Sequence, residues 1–368
     1  MKWSIKLGRL WGIDVYLHFT FLLFLVWIGS STWAGAGAGV ALSTVLLIVA
    51  LFACVLLHEY GHALTARKYG IGTHDITLLP IGGVARLERM PSNPREELLV
   101  AIAGPAVNGV IAVIIWAILF FRGSNISADP AQLLAGGMLG KLLLMNLFMI
   151  VFNMLPAFPM DGGRVLRAAL AMKMPYAKAT RFAATIGQGM AVLFALFGLY
   201  HGHFMLLFIA IFVWIGASNE ADAAEEDSLL SGLRVRDAML TDYRRLSPED
   251  TAQTTVQLIL QGWQADFPVV LNGRFVGLVT RQDVVTALEA GDQRQTVATF
   301  MREPGLHCSP EDALDASLES LRGSSLPLLP VLQEGRLVGL LNSENILEAI
   351  MFRRALRGRI PPPLPLPA

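Results

Sequence analysis

Nearly all the long apolar runs of the chain lie within residues 1–220, whereas residues 221–368 mix apolar and charged positions as soluble domains do. A helix needs about 20 apolar residues to cross the hydrocarbon core of a bilayer. We predict six transmembrane helices, within residues 15–33, 38–66, 98–121, 133–155, 183–199 and 204–217. The pattern therefore predicts a multi-span α-helical membrane domain followed by a soluble α/β module.

The polar loop at residues 67–94 contains two strand-like segments, 76–81 and 84–88, on either side of Gly82-Gly83. Paired glycines between such segments are typical of a tight β-hairpin. An unwound substrate could add to the edge of this hairpin as an extra strand. We therefore treat Gly82 and Gly83 as candidate substrate-binding residues.

Helix-breaking and charged residues interrupt two of the predicted spans, the third and the fourth. Gly104-Pro105 is expected to break the third span, and Pro156 and Pro159 end the fourth. Backbone groups freed at membrane depth are tolerated only where they are buried in protein or line a cavity. Lys141 lies within the fourth span, where it either extends to the interface or precedes a shorter span.

Basic residues are distributed unevenly between the predicted loops. Six spans place both chain ends on one side, and the loops of the opposite side carry only Arg122. The side of the termini carries Lys2, Lys6, Arg9, Arg67, Lys68, Arg86, Arg89, Arg95, Arg164, Arg167, Lys173, Lys178 and Arg181. The positive-inside rule then predicts a protein of the cell (inner) membrane whose N-terminus and soluble half are cytoplasmic.

Composition agrees with a membrane protein and narrows its partners. Only 16% of the residues are charged and the mean hydropathy is +0.53, whereas soluble domains are about 25% charged. The net charge is zero, so no nucleic-acid partner is expected. The two cysteines, Cys54 and Cys308, argue against a disulfide framework, and the basic N-terminus shows no cleavable signal peptide pattern.

The second predicted span ends in His58-Glu59-Tyr60-Gly61-His62. On a helix the two histidines share one face, one turn apart, with Glu59 beside them. In this H-E-x-x-H arrangement the imidazoles bind a metal and the glutamate acts on water. Because such polar groups are costly in a membrane, we predict a metal centre at the cytoplasmic end of this helix.

A catalytic zinc ion takes three protein ligands and keeps one position open. Asp161 follows the proline break and is predicted to lie at the same depth as His58 and His62, so it is the candidate third ligand. Cys54 is expected to pack against neighbours rather than bind metal. The other histidines are predicted to lie away from this depth or at an interface: His18, His74, His201, His203 and His307.

Two asparagines are candidates for substrate handling. Asn153 lies three residues before the first proline of the break, where it could hydrogen-bond the substrate or an oxyanion. An interhelical hydrogen bond is the alternative role for Asn153. Asn108, in the third span, is a weaker candidate for substrate binding.

The soluble half contains two copies of a unit of about 60 residues, and such copies stack to bury a shared apolar face. Each copy has a Ser-Pro-Glu-Asp segment before a helix, then a Gly-Arg turn and a Gly-Leu strand. We predict a membrane domain at 1–220, a linker at 221–233, and repeats at 234–291 and 292–353. A basic, then proline-rich tail follows at 354–368, and its proline-rich end is expected to be a disordered extension.

This pair resembles a tandem cystathionine-β-synthase (CBS) module. In that family a Gly-x-x-Thr-x-x-Asp stretch binds the ribose of adenosine nucleotides, and Gly277, Thr280 and Asp283 match it. The second copy has Asn342 and Asn345 instead. The resemblance therefore implies an adenosine nucleotide at the first copy, with a purely structural pair as an equal alternative, and it leaves room for a homodimer through the pair.

The whole chain resembles the site-2 protease family of intramembrane zinc metalloproteases. The resemblance rests on H-E-Y-G-H in an early span, G-P-x-x-N in the next, and N-x-x-P before D-G-G after the fourth. It implies one zinc ion held by His58, His62 and Asp161, with Glu59 as the catalytic base and Asn153 as a substrate-handling residue. Family substrates are single-span membrane proteins, often anti-sigma or pro-sigma factors, and a C-terminal CBS pair marks a prokaryotic branch.

Two other functions fit parts of the pattern. CBS pairs also occur on membrane transporters and channels, but these usually show repeated halves with paired broken helices, which the spans here lack. A catalytically inactive binding protein would not need the base that Glu59 supplies. The intramembrane protease is therefore the preferred interpretation.

Overall fold

The structure is a computed structural model that describes residues 3–123, 130–135, 137–262, 264–290, 294–303 and 305–356. The proline-rich end of the predicted tail, residues 357–368, lies outside the described residues. The chain divides into two compact units, Met1–Ala224 and Glu225–Ala368.

The N-terminal unit combines a small β-sheet with apolar helices. Its elements are β1 (Ser4–Leu10), β2 (Ile13–His18), α1 (Phe19–Ala36), α2 (Ala38–Lys68), β3 (Thr73–Leu79), β4 (Gly82–Leu87), α3 (Pro94–Phe121), α4 (Pro130–Ala135), α5 (Gly137–Asn153), α6 (Asp161–Ala171), α7 (Tyr176–His201) and α8 (Phe204–Leu230). Within the described ranges, α1, α2, α3, α7 and α8 are long and apolar enough to cross a membrane, and α5 is a shorter apolar helix. The predicted multi-span helical architecture is confirmed.

The four strands form one sheet in the order β1-β2-β3-β4, in which β2 and β3 run parallel and the other neighbours antiparallel. One face of the sheet packs on α2, where Ile13, Val15 and Ile76 meet Tyr60 and Ala63 in a buried cluster. Since Tyr60 and Ala63 flank the second histidine of the motif, the sheet supports the part of α2 that carries the candidate metal ligands.

Two predicted boundaries are wrong in this sheet. The first predicted span begins too early, because residues 15–18 belong to β2 and α1 starts at Phe19, with His18 as its N-cap. A continuous apolar run does not distinguish a buried strand from a helix. The predicted hairpin exists, but its turn is Pro80-Ile81, and Gly82 and Gly83 lie in β4 opposite Leu79 and Leu78.

Two expected interruptions of the helices also differ. Gly104-Pro105 does not break α3, which is continuous from Pro94 to Phe121; proline is tolerated in membrane helices because neighbouring groups satisfy the freed backbone. The fourth predicted span divides into α4 and α5, and Lys141 lies half-buried in the second turn of α5. Since α5 has 17 residues, it is at the short end of the length that can span a bilayer.

The C-terminal unit holds the two repeats. Its elements are a 3-10 turn (Val235–Asp237), α9 (Ala252–Gln261), β5 (Phe267–Leu271), β6 (Arg274–Val279), α10 (Arg281–Glu289), α11 (Val297–Phe300), α12 (Leu314–Gly323), β7 (Leu328–Gln333), β8 (Arg336–Asn342) and α13 (Ser343–Ala355). The strands form one sheet in the order β5-β6-β8-β7. Equivalent hairpin turns have positive φ at Asn272-Gly273 and Glu334-Gly335, as two-residue type I′ turns require.

Candidate metal centre

The two histidines of the motif lie on the face of α2 that packs against α3. Small residues permit this close approach: a Cβ atom on Gly61 would lie 2.7 Å from the carbonyl oxygen of Ala103. A Cβ atom on Gly104 would lie 2.2 Å from Nε2 of His62 and 2.7 Å from Nε2 of His58. Gly104 therefore keeps open the space in front of both imidazoles, a role that the sequence analysis missed.

His58, His62 and Asp161 form the one group among the described residues whose ligand atoms are arranged for a metal ion. Nε2 of His62 lies 3.1 Å from Nε2 of His58, and Oδ2 of Asp161 lies 3.2 Å and 3.1 Å from these two nitrogens. All three residues are buried. The three side chains come from α2 and from the first residue of α6.

The donor set and spacing fit zinc. Zinc–ligand bonds of about 2.0–2.2 Å at tetrahedral angles separate ligand atoms by about 3.3 Å or slightly more, and the observed separations are close to this. Two imidazole nitrogens and one carboxylate are a ligand set found in catalytic zinc sites. Three electron-rich atoms this close together in a buried place would repel one another unless a cation or protons lay between them.

A chain of hydrogen bonds fixes the tautomer of His58. The carbonyl of Leu142 can only accept, so the amide of Asn146 donates to it at 2.9 Å. Oδ1 of Asn146 then accepts from Nδ2 of Asn108 at 2.8 Å, which leaves Oδ1 of Asn108 to accept from Nδ1 of His58 at 2.5 Å. Because Nδ1 carries the proton, the lone pair of Nε2 is free for a metal ion.

The second histidine is oriented in the same way. Nδ1 of His62 donates to the carbonyl of Val100 at 2.7 Å, so its Nε2 also presents a lone pair to the centre. The sequence analysis missed Asn146, although an asparagine inside an apolar helix was a usable signal. Asn108 was predicted to bind substrate, and this is corrected: it is fully buried behind His58, with both ends of its amide occupied.

Asp161 is held by the chain reversal between α5 and α6. Gly162 and Gly163 follow it, and a Cβ atom on Gly162 would lie 2.2 Å from the carbonyl oxygen of Leu155. On Gly163 a Cβ atom would lie 2.7 Å from the carbonyl carbon of Ala157. The D-G-G sequence is thus explained, because only glycines let the start of α6 lie against the backbone of the proline-containing segment.

Glu59 is on α2, and its side chain lies against the edge strand β4. A Cβ atom on Gly83 would lie 2.7 Å from Cγ of Glu59 and 3.2 Å from its Oε1. Gly83 is therefore placed beside the candidate base, not at the hairpin turn. Asn153 is the last residue of α5, half-buried, and its side chain has no hydrogen bond to any residue that the structure describes.

The remaining polar candidates lie outside this centre. Cys54 is buried and free, and neither it nor any of the other histidines joins the group of ligand atoms found in the described ranges. His18 caps α1 by accepting a hydrogen bond from the backbone N–H of Thr20. Arg167, which was assigned to a cytoplasmic loop, lies on α6 in the connection between α5 and α7, and it is only 2% exposed.

In the C-terminal unit, a cavity of about 1290 Å³ is lined by both repeats, including Thr280 and Asn342. Thr280 caps α10, and Asp283 accepts hydrogen bonds from the backbone and hydroxyl of Thr280. Both carboxylate oxygens of Asp283 also accept from Arg302 at 2.8–3.0 Å. Burial opposes ionisation of Asp283, but the hydrogen bonds from Arg302 and Thr280 hold its pKa below the usual range.

The fold and this site define a multi-span membrane metalloprotease that carries a C-terminal pair of repeats. The model of Peptidase family M50 matches residues 46–132 and 126–196, and the CBS domain model matches 235–290 and 297–352. A zinc metalloprotease of Methanocaldococcus jannaschii is 33% identical over 357 residues, which cover 95% of this chain and 97% of that protein. The chain therefore belongs to the site-2 protease family, Peptidase family M50, and it is a zinc metalloprotease with tandem CBS domains.

Two further relatives match parts of the chain. Stage IV sporulation protein FB of Bacillus subtilis is 29% identical over 150 residues, 40% of this chain and 49% of that protein. The solved structure of a site-2 protease from Methanocaldococcus jannaschii is 40% identical and covers 60% of this chain and 95% of that one, with a TM-score of 0.44. The family assignment favours the protease over the transporter or channel alternative.

Proposed function

We propose that this protein cuts single-span membrane proteins at peptide bonds inside or beside their transmembrane segments. The observation that carries the proposal is the convergence of His58, His62 and Asp161, with ligand atoms 3.1–3.2 Å apart, in an apolar helical unit. A peptide bond in an intact helix is shielded, since its carbonyl is hydrogen-bonded four residues onward. The enzyme must therefore bind its substrate unwound near this centre.

Each residue of the centre has a distinct role in this proposal. His58, His62 and Asp161 would hold one zinc ion, which when bound supplies a Lewis acid that activates water and polarises the substrate carbonyl. The carboxylate of Glu59 accepts the proton of the attacking water and returns it to the leaving amine. The unpaired amide of Asn153 donates a hydrogen bond to the substrate backbone or to the developing oxyanion.

The edge strand β4 is the proposed docking site for the unwound substrate. It pairs with β3 on one side and has no partner strand on the other among the described residues. An added strand would receive backbone hydrogen bonds from this edge. Since Gly83 of β4 packs against Glu59, a substrate paired there would pass beside the base.

The distribution of basic residues supports one orientation of the protein in the membrane. Most predicted cytoplasmic charges lie in the polar loops or at the adjoining helix ends, for example Arg67 and Lys68 in the last turn of α2. We propose that the N-terminus, the metal centre and the CBS pair face the cytoplasm. Accessibility of single introduced cysteines to an impermeant thiol reagent, in a background with Cys54 and Cys308 replaced, tests this: sites in the C-terminal unit should react only after cell lysis.

The decisive experiment measures zinc content and cleavage of a model single-span substrate for the full-length protein in detergent. We expect about one zinc ion per chain in the wild type and in Glu59→Gln, since three separate residues hold the ion. Cleavage should occur with the wild type and be lost in Glu59→Gln. A wild type that binds no zinc, or a Glu59→Gln variant that cuts normally, would refute the assignment.

We further propose that the cavity of the CBS pair binds an adenosine nucleotide near Thr280 and Asp283 and thereby regulates the protease. We also propose that two chains form a homodimer through the CBS pair. Titration of the full-length protein with AMP and ATP, for wild type and Asp283→Ala, tests the first part. Binding that Asp283→Ala weakens is expected, whereas the absence of any binding would favour a purely structural pair. A light-scattering mass at twice that of one chain, after detergent subtraction, would support the dimer.

A further inference from the structure

Arg167 is a buried cation on the helix that begins with the candidate zinc ligand Asp161. It lies on α6, six residues after Asp161, and only 2% of its surface is exposed. A buried guanidinium is costly unless it is paired and hydrogen-bonded. Its partners therefore indicate what the cation does in this unit.

Two carboxylates and two aromatic rings surround the guanidinium. Nε donates to Oε1 of Glu97 at 2.7 Å, and Nη1 donates to Oε2 of Glu220 at 2.8 Å. The guanidinium carbon lies 5.0 Å from the ring centre of Phe158 and 4.9 Å from that of Tyr176. Phe158 lies in the segment between α5 and α6, so Arg167 contacts both the segment that precedes its own helix and three other helices, α3, α7 and α8.

These contacts connect Asp161 to the helix behind the histidines. Glu97 is 1% exposed in the first turn of α3, and Val100 and Asn108 on the same helix orient His62 and His58. The ion cluster thus joins the element that supplies one ligand to the element that orients the other two. The relative position of α3 and α6 determines how well the three ligand atoms converge.

Glu220 adds α8 to the same cluster. Its side chain is 30% exposed, whereas those of Arg167 and Glu97 are each 2% exposed. The helix α8 continues past Ala224, where the first compact unit ends, to Leu230. A displacement of α8 therefore has a direct route, through one hydrogen-bonded ion pair, to the helix of Asp161.

We propose that Arg167 is a positioning residue for Asp161, and that Glu220 is the contact through which α8 sets the metal affinity of the centre. The inference rests on the proposed zinc role of Asp161. Removal of a partner hydrogen-bonded to a metal ligand typically costs about 10–100-fold in metal affinity; Glu220 acts further out, through Arg167, so the expected loss begins at the low end of that range. Loss of Glu220 also leaves the cation with one carboxylate fewer, which favours a rearrangement of α6.

The test measures zinc dissociation constants by competition with a chelator, on full-length protein in detergent and without substrate. We expect Glu220→Ala to weaken zinc binding by about 10-fold or more, and Glu220→Gln, which keeps an acceptor oxygen, to weaken it less. Asp222→Asn is the matched control, because it removes an exposed carboxylate two residues away on α8 and should change the constant by less than about twofold, as surface changes usually do.

A second comparison separates positioning from general damage to the fold. In an Asp161→Ala background, Glu220→Ala should have no further effect on zinc affinity, because the ligand on which it acts is gone. The inference is overturned if Glu220→Ala and Glu220→Gln both bind zinc as tightly as the wild type. It is also overturned if the losses in the double variant are additive, or if Asp222→Asn loses as much zinc affinity as Glu220→Ala. A wild type that binds no zinc would instead refute the proposed function.

Discussion

Oδ1 of Asn108 lies 2.5 Å from Nδ1 of His58, and the amide of Asn108 is itself oriented by Asn146 on another helix. The direction of this chain is set at the carbonyl of Leu142, which can only accept. Hence a residue that never touches the metal centre determines which nitrogen of His58 carries the proton. We expect Asn146→Leu to lower zinc affinity by about 10-fold or more, the range known for the outer partners of metal-binding histidines.

The measurement for Asn146→Leu is a chelator competition on the full-length protein. Leu147→Ala is the control, because Leu147 is the next residue of α5 and its side chain is exposed. If Asn146→Leu binds zinc as tightly as the wild type, the hydrogen-bond chain has no role in preparing His58.

Gly104 offers a test of the space in front of the imidazoles. An added methyl group would lie 2.2 Å from Nε2 of His62, so Gly104→Ala must displace at least one imidazole. We expect zinc content to fall to a small fraction of the wild-type value, with cleavage lost in proportion. Zinc content by atomic absorption and cleavage of the model substrate are the two readouts.

The control for Gly104→Ala is Gly109→Ala on the same helix. A Cβ atom there meets no other group within 4 Å, and alanine is the better helix former by about 1 kcal/mol. Gly109→Ala should therefore bind zinc normally and be at least as stable as the wild type. Normal zinc content in Gly104→Ala would mean that the imidazoles do not occupy the positions described.

Local pattern and motif spacing predicted the apolar helices, the H-E-x-x-H helix, the convergence of Asp161 with the two histidines and the internal repeat. They could not predict the roles of Gly104 and Asn146 or the burial of Arg167. These depend on which helix faces pack together, and the sequence of one helix does not show which helix lies beside it. Arg167 was counted as a loop cation since its partner Glu97 is 70 positions away. The strand before α1 was missed because its apolar residues continue directly into the helix.

Gly83 brings the edge strand into contact with the candidate base Glu59. Its replacement should reduce catalysis while leaving zinc binding intact. A Cβ atom at this position would lie 2.7 Å from Cγ of Glu59, so Gly83→Ala must shift that side chain or the strand. A displacement of about 1 Å can cost roughly 100-fold in rate. We expect zinc content to be retained and cleavage to fall by about that factor, and an unchanged cleavage rate would contradict the contact.

The docking of substrate on β4 is tested at Val84, which pairs with Thr77 of β3 and has a side chain that is 45% exposed. Val84 and Thr77 form a hydrogen-bonded pair of the antiparallel ladder, so proline here removes a bond to β3 and fixes φ; it therefore distorts β4 and the edge that β4 offers to an added strand. Leu78 is less informative, because it lies on the inner strand β3 and is buried against α1 and α2. We expect Val84→Pro to reduce cleavage by at least 10-fold with zinc retained, while Val84→Ala, which keeps the N–H group, cuts at a rate close to wild type. Cleavage by Val84→Pro at the wild-type rate would show that the substrate reaches Glu59 without pairing to this edge.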